Sequence, residues 1–378
     1  MFFNIFLLIL LPVFSIAVVL IIPKSEFYLL RFFTIFLSFF IFILSVILLI
    51  FFDKGCTFYQ YVGTIYFFYH NILFGVDGMS LLLIILSSFL IPLCFLANWN
   101  NSLYFKELAI CLFSIEFFLF LIFSVLDVLL FYVFFESVLI PMFILIGIFG
   151  SGRRKVRSGF LFFFYTLLGS VLMLLSIVFI YNDIGTLNYF ILLKINYNHV
   201  FQNILWIGFI LAFMSKIPTI PFHIWLPEAH VEAPTSGSVL LAGVLLKLGT
   251  YGILRFLIPF FPNATVYFTP FIFVFAGISI IYSSATATRQ TDLKRIIAYT
   301  SIAHMNLILI SIFVLNHISL TGSFFQMLAH GIVSSALFFC IGFYYDRFHT
   351  RIIENFGGTV QTLPILSVFF LLFNLANL

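Results

Sequence analysis

The chain is a succession of apolar runs, most of them about long enough to cross a lipid bilayer and each parted from the next by a more polar segment. A helix rises 1.5 Å per residue, so about 20 apolar residues span a hydrocarbon core of about 30 Å. Lipid offers backbone groups no hydrogen bonds, so a spanning segment must be a helix or part of a closed barrel. The run lengths select helices. Spans are predicted at Phe2–Ile22, Tyr28–Phe52, Met79–Ala97, Leu108–Val125, Val128–Phe149, Gly159–Tyr181, Phe201–Lys216, Val239–Ile258, Val266–Ser284, Leu293–Leu315 and Leu320–Tyr345. These are eleven full spans. A further run from Pro364 to Leu378 makes a partial twelfth, reaching only about 22 Å. The fold class expected is an all-α integral membrane protein. With 63% hydrophobic and 8% charged residues, the chain has too little polar surface for a soluble fold.

Lys and Arg settle the orientation. Of 17 such residues, twelve fall in loops after odd-numbered spans: Lys24, Arg31, Lys106, Arg153, Arg154, Lys155, Arg157, Arg289, Lys294, Arg295, Arg347 and Arg351. Lys54, Lys194 and Arg255 fall on the other side, and Lys216 and Lys247 lie at membrane depth. The basic side is expected to face the matrix or cytoplasm. The run SGRRKVRSG (Ser151–Gly159) reads as a topology determinant in a short loop rather than a nucleic-acid patch, and Arg289, Lys294 and Arg295 read likewise.

The four cysteines, Cys56, Cys94, Cys111 and Cys340, form no CxxC pair, and no phosphate-binding glycine loop is present. No cofactor and no metal is expected in this chain.

The chemistry concentrates between Lys216 and Lys247, KIPTIPFHIWLPEAHVEAPTSGSVLLAGVLLK. Pro218, Pro221, Pro227 and Pro234 break the helical pattern and leave carbonyls without amide donors. In a membrane that is tolerated where the backbone is buried in protein or lines a watery cavity. Intramembrane charge costs about 2.5–3.5 kcal/mol on insertion scales, so Lys216 and Lys247 mark an ion or proton path. Glu136, inside FFESVLIPMF, is the strongest acidic candidate, and Glu116 in CLFSIEFFLF is a weaker one. Asp127, at a span's edge, reads as a helix cap or an interface residue. His304 and His330 fall mid-span, and imidazole passes protons through its two nitrogens. His223 and His230 read as buried structural histidines, and HIWLPEAH is not a zinc-protease HExxH.

The motifs FGVDGMS (Phe74–Ser80), FFESVLIPMF (Phe134–Phe143), FHIWLPEAHVEAPTSGSVLLAGVLLKLGTYGILRF, TDLKRIIAYTSIAHMN, QMLAHGIVSSALFF and GGTVQTLP resemble the antiporter-like membrane subunits of mitochondrial NADH–ubiquinone oxidoreductase, respiratory complex I. The resemblance implies a multi-helix bundle with inverted repeats and a broken seventh helix. It implies N-terminal helices over 1–106, a first repeat over 107–260 and an incomplete second repeat over 261–378. It places a proton relay on Glu136, Lys216 and Lys247, with His304 and His330 beside it. Ubiquinone reduction and NADH oxidation belong to other subunits. Expected partners are the other membrane-arm subunits, including antiporter-like subunits 2 and 5, a separate chain supplying helices beyond Leu378, and membrane lipids, with no nucleic acid. The expected location is the mitochondrial inner membrane. A free-standing cation/proton antiporter subunit is the alternative.

Overall fold

The computed structural model describes residues 5–56, 58–67, 70–99 and 104–377. The first residues of the first expected span, and Leu378, where the partial twelfth was expected to end inside the membrane, lie outside this set. In chain order the elements are α1 (Ile5–Ile21), α2 (Phe27–Ile50), β1 (Gln60–Phe67), β2 (His70–Val76), α3 (Gly78–Ala97), α4 (Phe105–Ser124), α5 (Val128–Ser137), α6 (Leu139–Phe149), α7 (Lys155–Ile184), α8 (Tyr189–Leu192), α9 (His199–Lys216) and α10 (Trp225–Glu232). Then come α11 (Thr235–Phe260), α12 (Pro262–Ala287), α13 (Leu293–Phe313), α14 (His317–Phe348), α15 (Thr359–Thr362) and α16 (Pro364–Ala376).

Among the described residues, nine helical stretches are long and apolar enough to cross a membrane: α2, α3, α4, α5 with α6, α7, α11, α12, α13 and α14. The other two expected spans are present as the helices α1, of 17 residues, and α9, of 18. The antiparallel hairpin β1–β2, paired from Gln60↔Val76 to Phe67↔His70, occupies a segment for which the sequence reading assigns no element.

The chain forms two compact units, 1–145 with 171–198 and 146–170 with 199–378. In the first, α1 packs on α2 and α4, and α3 lies against α2 and α4. Ser45 and Ser88 join α2 to α3 through a 2.8 Å hydroxyl contact, a polar tie of the kind that holds helices together in lipid. Lys106 Nζ donates to Leu20 O and Ile22 O, both at 2.8 Å, capping the carbonyl end of α1, and Lys24 pairs with Glu107 beside it. The FGVDGMS motif has a local cause. Asp77 accepts from Ser80 N at 2.9 Å while Ser80 Oγ accepts from Asp77 N at 2.9 Å, a reciprocal cap that starts α3. Asp127 caps α5 without a reciprocal bond, accepting from Leu129 N and Leu130 N, as its position at a span's edge implies.

In the second unit, α13 packs against α10, α12 and α14; α11 lies against α9 and α14; and α16 lies on α14. The loops bearing Ser151, Thr291–Leu293 and Arg351 meet at one end. Leu293 N donates to Arg351 O at 3.1 Å, Ile353 N to Thr291 O at 3.0 Å, and the Arg351 guanidinium to Ser151 Oγ. That common end is the arrangement expected for this unit's basic loops.

Candidate functional site: a broken helix and a buried lysine

α9 ends at Lys216, which is 5% exposed, and a turn leads to α10. The prolines of this turn remove amide donors, so the carbonyls around it need other partners. Side chains supply them. Trp225 Nε1 donates to Ser215 O at 3.0 Å, Thr219 Oγ1 to Met214 O at 3.3 Å, and Asn306 Nδ2 to Pro218 O at 3.4 Å. Ile220 N, on the residue before Pro221, donates to Ser279 Oγ at 2.9 Å. Trp225, Thr219, Asn306 and Ser279 are all buried. Three of them come from α10, α12 and α13, so the break is held open by the helices around it. The His223 ring meets Tyr282 edge-on at 5.4 Å.

The far end of α10 is capped as completely. His230 O accepts from Ser238 Oγ at 3.2 Å, Val231 O from Arg351, Glu232 O from Ser151 N at 3.1 Å, and Ala233 O from Lys294 Nζ at 2.8 Å. Two cations therefore sit at the negative end of a half-helix dipole. This corrects the reading of Lys294 as a loop cation that only sets topology. It is 2% exposed, and its ammonium also reaches Ser238 Oγ at 3.4 Å. The His230 ring, fully buried, stacks on Phe338 with centroids 4.6 Å apart and planes 4° off parallel. Neither ring nitrogen has a hydrogen-bond partner among the described residues.

Lys247 lies inside α11 and has no exposed surface. Two π-helical turns, Leu241–Leu245 and Ile253–Leu257, flank it. In the first, the Leu246 amide reaches back five residues to Leu241 O. The Lys247 ammonium folds back along its own helix and donates to Ala242 O. Its second contact is His330 Nδ1 on α14, at 2.8 Å. The His330 ring faces the His304 ring of α13 with centroids 5.7 Å apart. Both histidines line a cavity of about 300 Å³ with Leu307, Gln326, Val333 and Asn377. The three sequence candidates Lys247, His330 and His304 are thus brought into one line, from a closed helix interior to a cavity.

α11 approaches α9 closely because two of its residues are glycines. A Cβ on Gly249 would lie 2.6 Å from Ile217 Cγ1 and 3.0 Å from Phe213 O, and one on Gly252 would run into the Phe213 ring. Small residues permit such backbone proximity between membrane helices.

The acidic candidates belong to the other unit. Glu136 is half-buried in the last turn of α5. The interruption at Val138 follows from Pro141, whose ring opposes the carbonyl four residues earlier, at Ser137. Glu116 is fully buried in α4, and neither carboxylate oxygen has a hydrogen-bond partner among the described residues. Glu136 and Lys216 fall in different units, so their pairing stays an expectation from sequence.

Ser238 and Asn306, which the sequence reading passed over, and Arg351, which it took only as an orientation marker, complete the polar framework. Their signal was weak. Each is a common residue in or beside a quoted motif, with nothing local to show which carbonyl it would meet.

Residues 125–378 match the family described as NADH:quinone oxidoreductase/Mrp antiporter, TM. Over 375 residues the chain is 52% identical to NADH-ubiquinone oxidoreductase chain 4 of Marchantia polymorpha, covering 98% of this chain and 76% of that one. With the protein of the same name from Arabidopsis thaliana it shares 51% over 381 residues, covering 100% and 77%. Among solved structures, a chain of respiratory complex I from Thermus thermophilus with bound NADH matches with a TM-score of 0.89 at 27% identity, covering 99% of this chain and 78% of that one. The chain belongs to the NADH:quinone oxidoreductase/Mrp antiporter family of membrane proteins, and its relatives at about half identity are NADH-ubiquinone oxidoreductase chain 4 proteins.

Proposed function

We propose that this chain is a proton-translocating membrane-arm subunit of respiratory complex I, multi-pass in the mitochondrial inner membrane. NADH oxidation and ubiquinone reduction take place in other subunits and drive proton movement here; this chain carries no redox centre of its own. The observation that carries the reading is the line from Lys247 through His330 to His304, ending at a cavity. An ammonium hydrogen-bonded to an imidazole nitrogen is a donor–acceptor pair across which a proton passes, and the second imidazole continues the path. Moving a proton against 100 mV costs about 2.3 kcal/mol. A hydrogen bond to a charged group is worth about 1.5–3 kcal/mol, so making or breaking one at Lys247 is of the required size.

In this reading Lys216 and Glu136 form the other working pair, Glu116 is a further acidic member of the path, and the chain is organised as helices 1–106, a first repeat over 107–260 and a second from 261. Antiporter-like subunits 2 and 5 are its neighbours. The test is Lys216→Ala or Glu136→Ala in the assembled complex, reconstituted in proteoliposomes. Pumping and coupled quinone reduction are expected to fall while assembly persists, and full pumping by either assembled variant refutes the relay. The family also includes Mrp antiporters, which favours a second reading as a subunit of a free-standing cation/proton antiporter. Co-purification with flavin and iron–sulfur clusters decides for complex I.

A further inference from the structure

Apart from the buried centre, the second unit carries an open groove of about 420 Å³ where α14 ends and α16 begins. Phe343, Ile365, Leu366 and Phe369 form its apolar walls, and Arg347 and Thr362 its polar part. Phe343 and Phe369 are each 49% exposed, and Ile365 74%. The Thr362 hydroxyl is turned to Thr359 O at 3.2 Å, so Arg347 is the groove's polar anchor. The neighbouring Arg351 is engaged elsewhere, its two terminal nitrogens donating to Val231 O and Ser151 Oγ and its guanidinium lying over the Tyr345 ring at 4.5 Å. Arg347 is exposed and makes no hydrogen bond or ion pair among the described residues.

The depth of the groove is set by its helix. With 32 residues, α14 is about 48 Å long against a hydrocarbon core of about 30 Å. Arg347 sits in its last turn, at the end of the unit where the loops of Ser151, Thr291–Leu293 and Arg351 meet. That is headgroup level on the basic side.

We propose that this groove is a binding site for one anionic phospholipid, with the phosphodiester on the Arg347 guanidinium and an acyl chain along Phe343 and Phe369. A guanidinium offers a planar pair of N–H donors to a phosphate. Basic pockets at the ends of membrane helices attract anionic headgroups, and a zwitterionic lipid gains less from the same cation. The apolar walls directly beneath the cation suit a ligand that is charged at one end and aliphatic at the other. This inference rests on the membrane location of the chain and not on the proton relay.

The experiment uses the assembled complex and spin-labelled phosphatidylglycerol, with spin-labelled phosphatidylcholine as reference. Wild type is expected to immobilise the anionic probe preferentially. Arg347→Gln is expected to lower that preference by roughly threefold, and Arg289→Gln, at another exposed basic-side cation, to leave it unchanged. Arg347→Lys keeps the charge and loses the fork, so partial retention is expected. An undiminished preference in Arg347→Gln overturns the proposal, as does an equal drop in Arg289→Gln, which marks diffuse surface charge. Polypeptide density filling the groove in the assembled complex also overturns it and assigns the groove to a protein neighbour.

Discussion

Lys216 and Lys247 both sit beside an interruption in a membrane helix, but the two interruptions are made differently. At Lys216 the cause is covalent. Prolines remove the amide donors, the helix stops, and Trp225, Thr219, Asn306 and Ser279 take up the free backbone groups. At Lys247 no proline is present. The helix widens into π turns on either side, and the lysine's own ammonium uses the Ala242 carbonyl. The first break has its free backbone groups closed by side chains of neighbouring helices. The second leaves its carbonyl held by a group that can give up a proton. The two breaks thus differ in what holds their free backbone groups: neighbouring helices at Lys216, and at Lys247 the very ammonium that the proposed relay uses.

The largest effect is expected at that centre. Lys247→Ala removes the donor to both Ala242 O and His330 Nδ1, and coupled proton transfer in proteoliposomes should fall by on the order of a hundredfold, about 2.7 kcal/mol. Native electrophoresis should show the complex still assembled. If the assembled variant pumps normally, the difference in role between the two breaks is gone.

Next comes the contact that holds the two breaks together. Gly249→Ala places a methyl 2.6 Å from Ile217 Cγ1, which forces α9 and α11 apart. Overpacking of this kind costs about 1–3 kcal/mol, read as a lower melting temperature of the complex. An unchanged melting temperature would mean that the two helices have slack.

Asn306→Leu leaves the Pro218 carbonyl without its donor in a buried setting. The expected loss of stability is about 1–2 kcal/mol, with proton transfer per assembled complex little altered. A loss of transfer as deep as that of Lys247→Ala would instead mean that the Pro218 carbonyl tie itself serves the proton path. The smallest effect is expected from Glu228→Gln. Its ion pair with Arg295, 3.1 Å long with side chains 30% and 37% exposed, contributes about 0.5 kcal/mol or less. A larger shift would show that this end of α10 is tied down more firmly than its exposure implies.

Local features told the sequence reading a good deal. Apolar run length placed the spanning helices, and the prolines placed the break after Lys216. Asp127 at a span's edge announced a cap, and the twelve basic loop residues announced an end that the second unit's loops do share. Each of these depends on a few neighbouring residues, so it survives without knowledge of the fold. The β1–β2 hairpin was missed because its apolar and aromatic residues are broken up by Gly63, His70 and Asn71 into runs too short to span, with no Gly, Pro or Asn-Gly turn signal between the strands. Lys294 was misread because a lysine at a helix start has the same local sequence whether solvated or buried. Its burial depends on Ala233, 61 residues away.

The centre of the site belongs to the tertiary structure for the same reason. The sequence by itself determined that Lys247 and His330 lie within membrane helices. Only packing decided that they meet, 83 residues apart along the chain, because their contact needs α11 and α14 side by side. The π turns were equally out of reach. No residue type demands them; here the wider winding goes with the Ala242 carbonyl accepting from the Lys247 ammonium, which His330 of another helix holds at 2.8 Å.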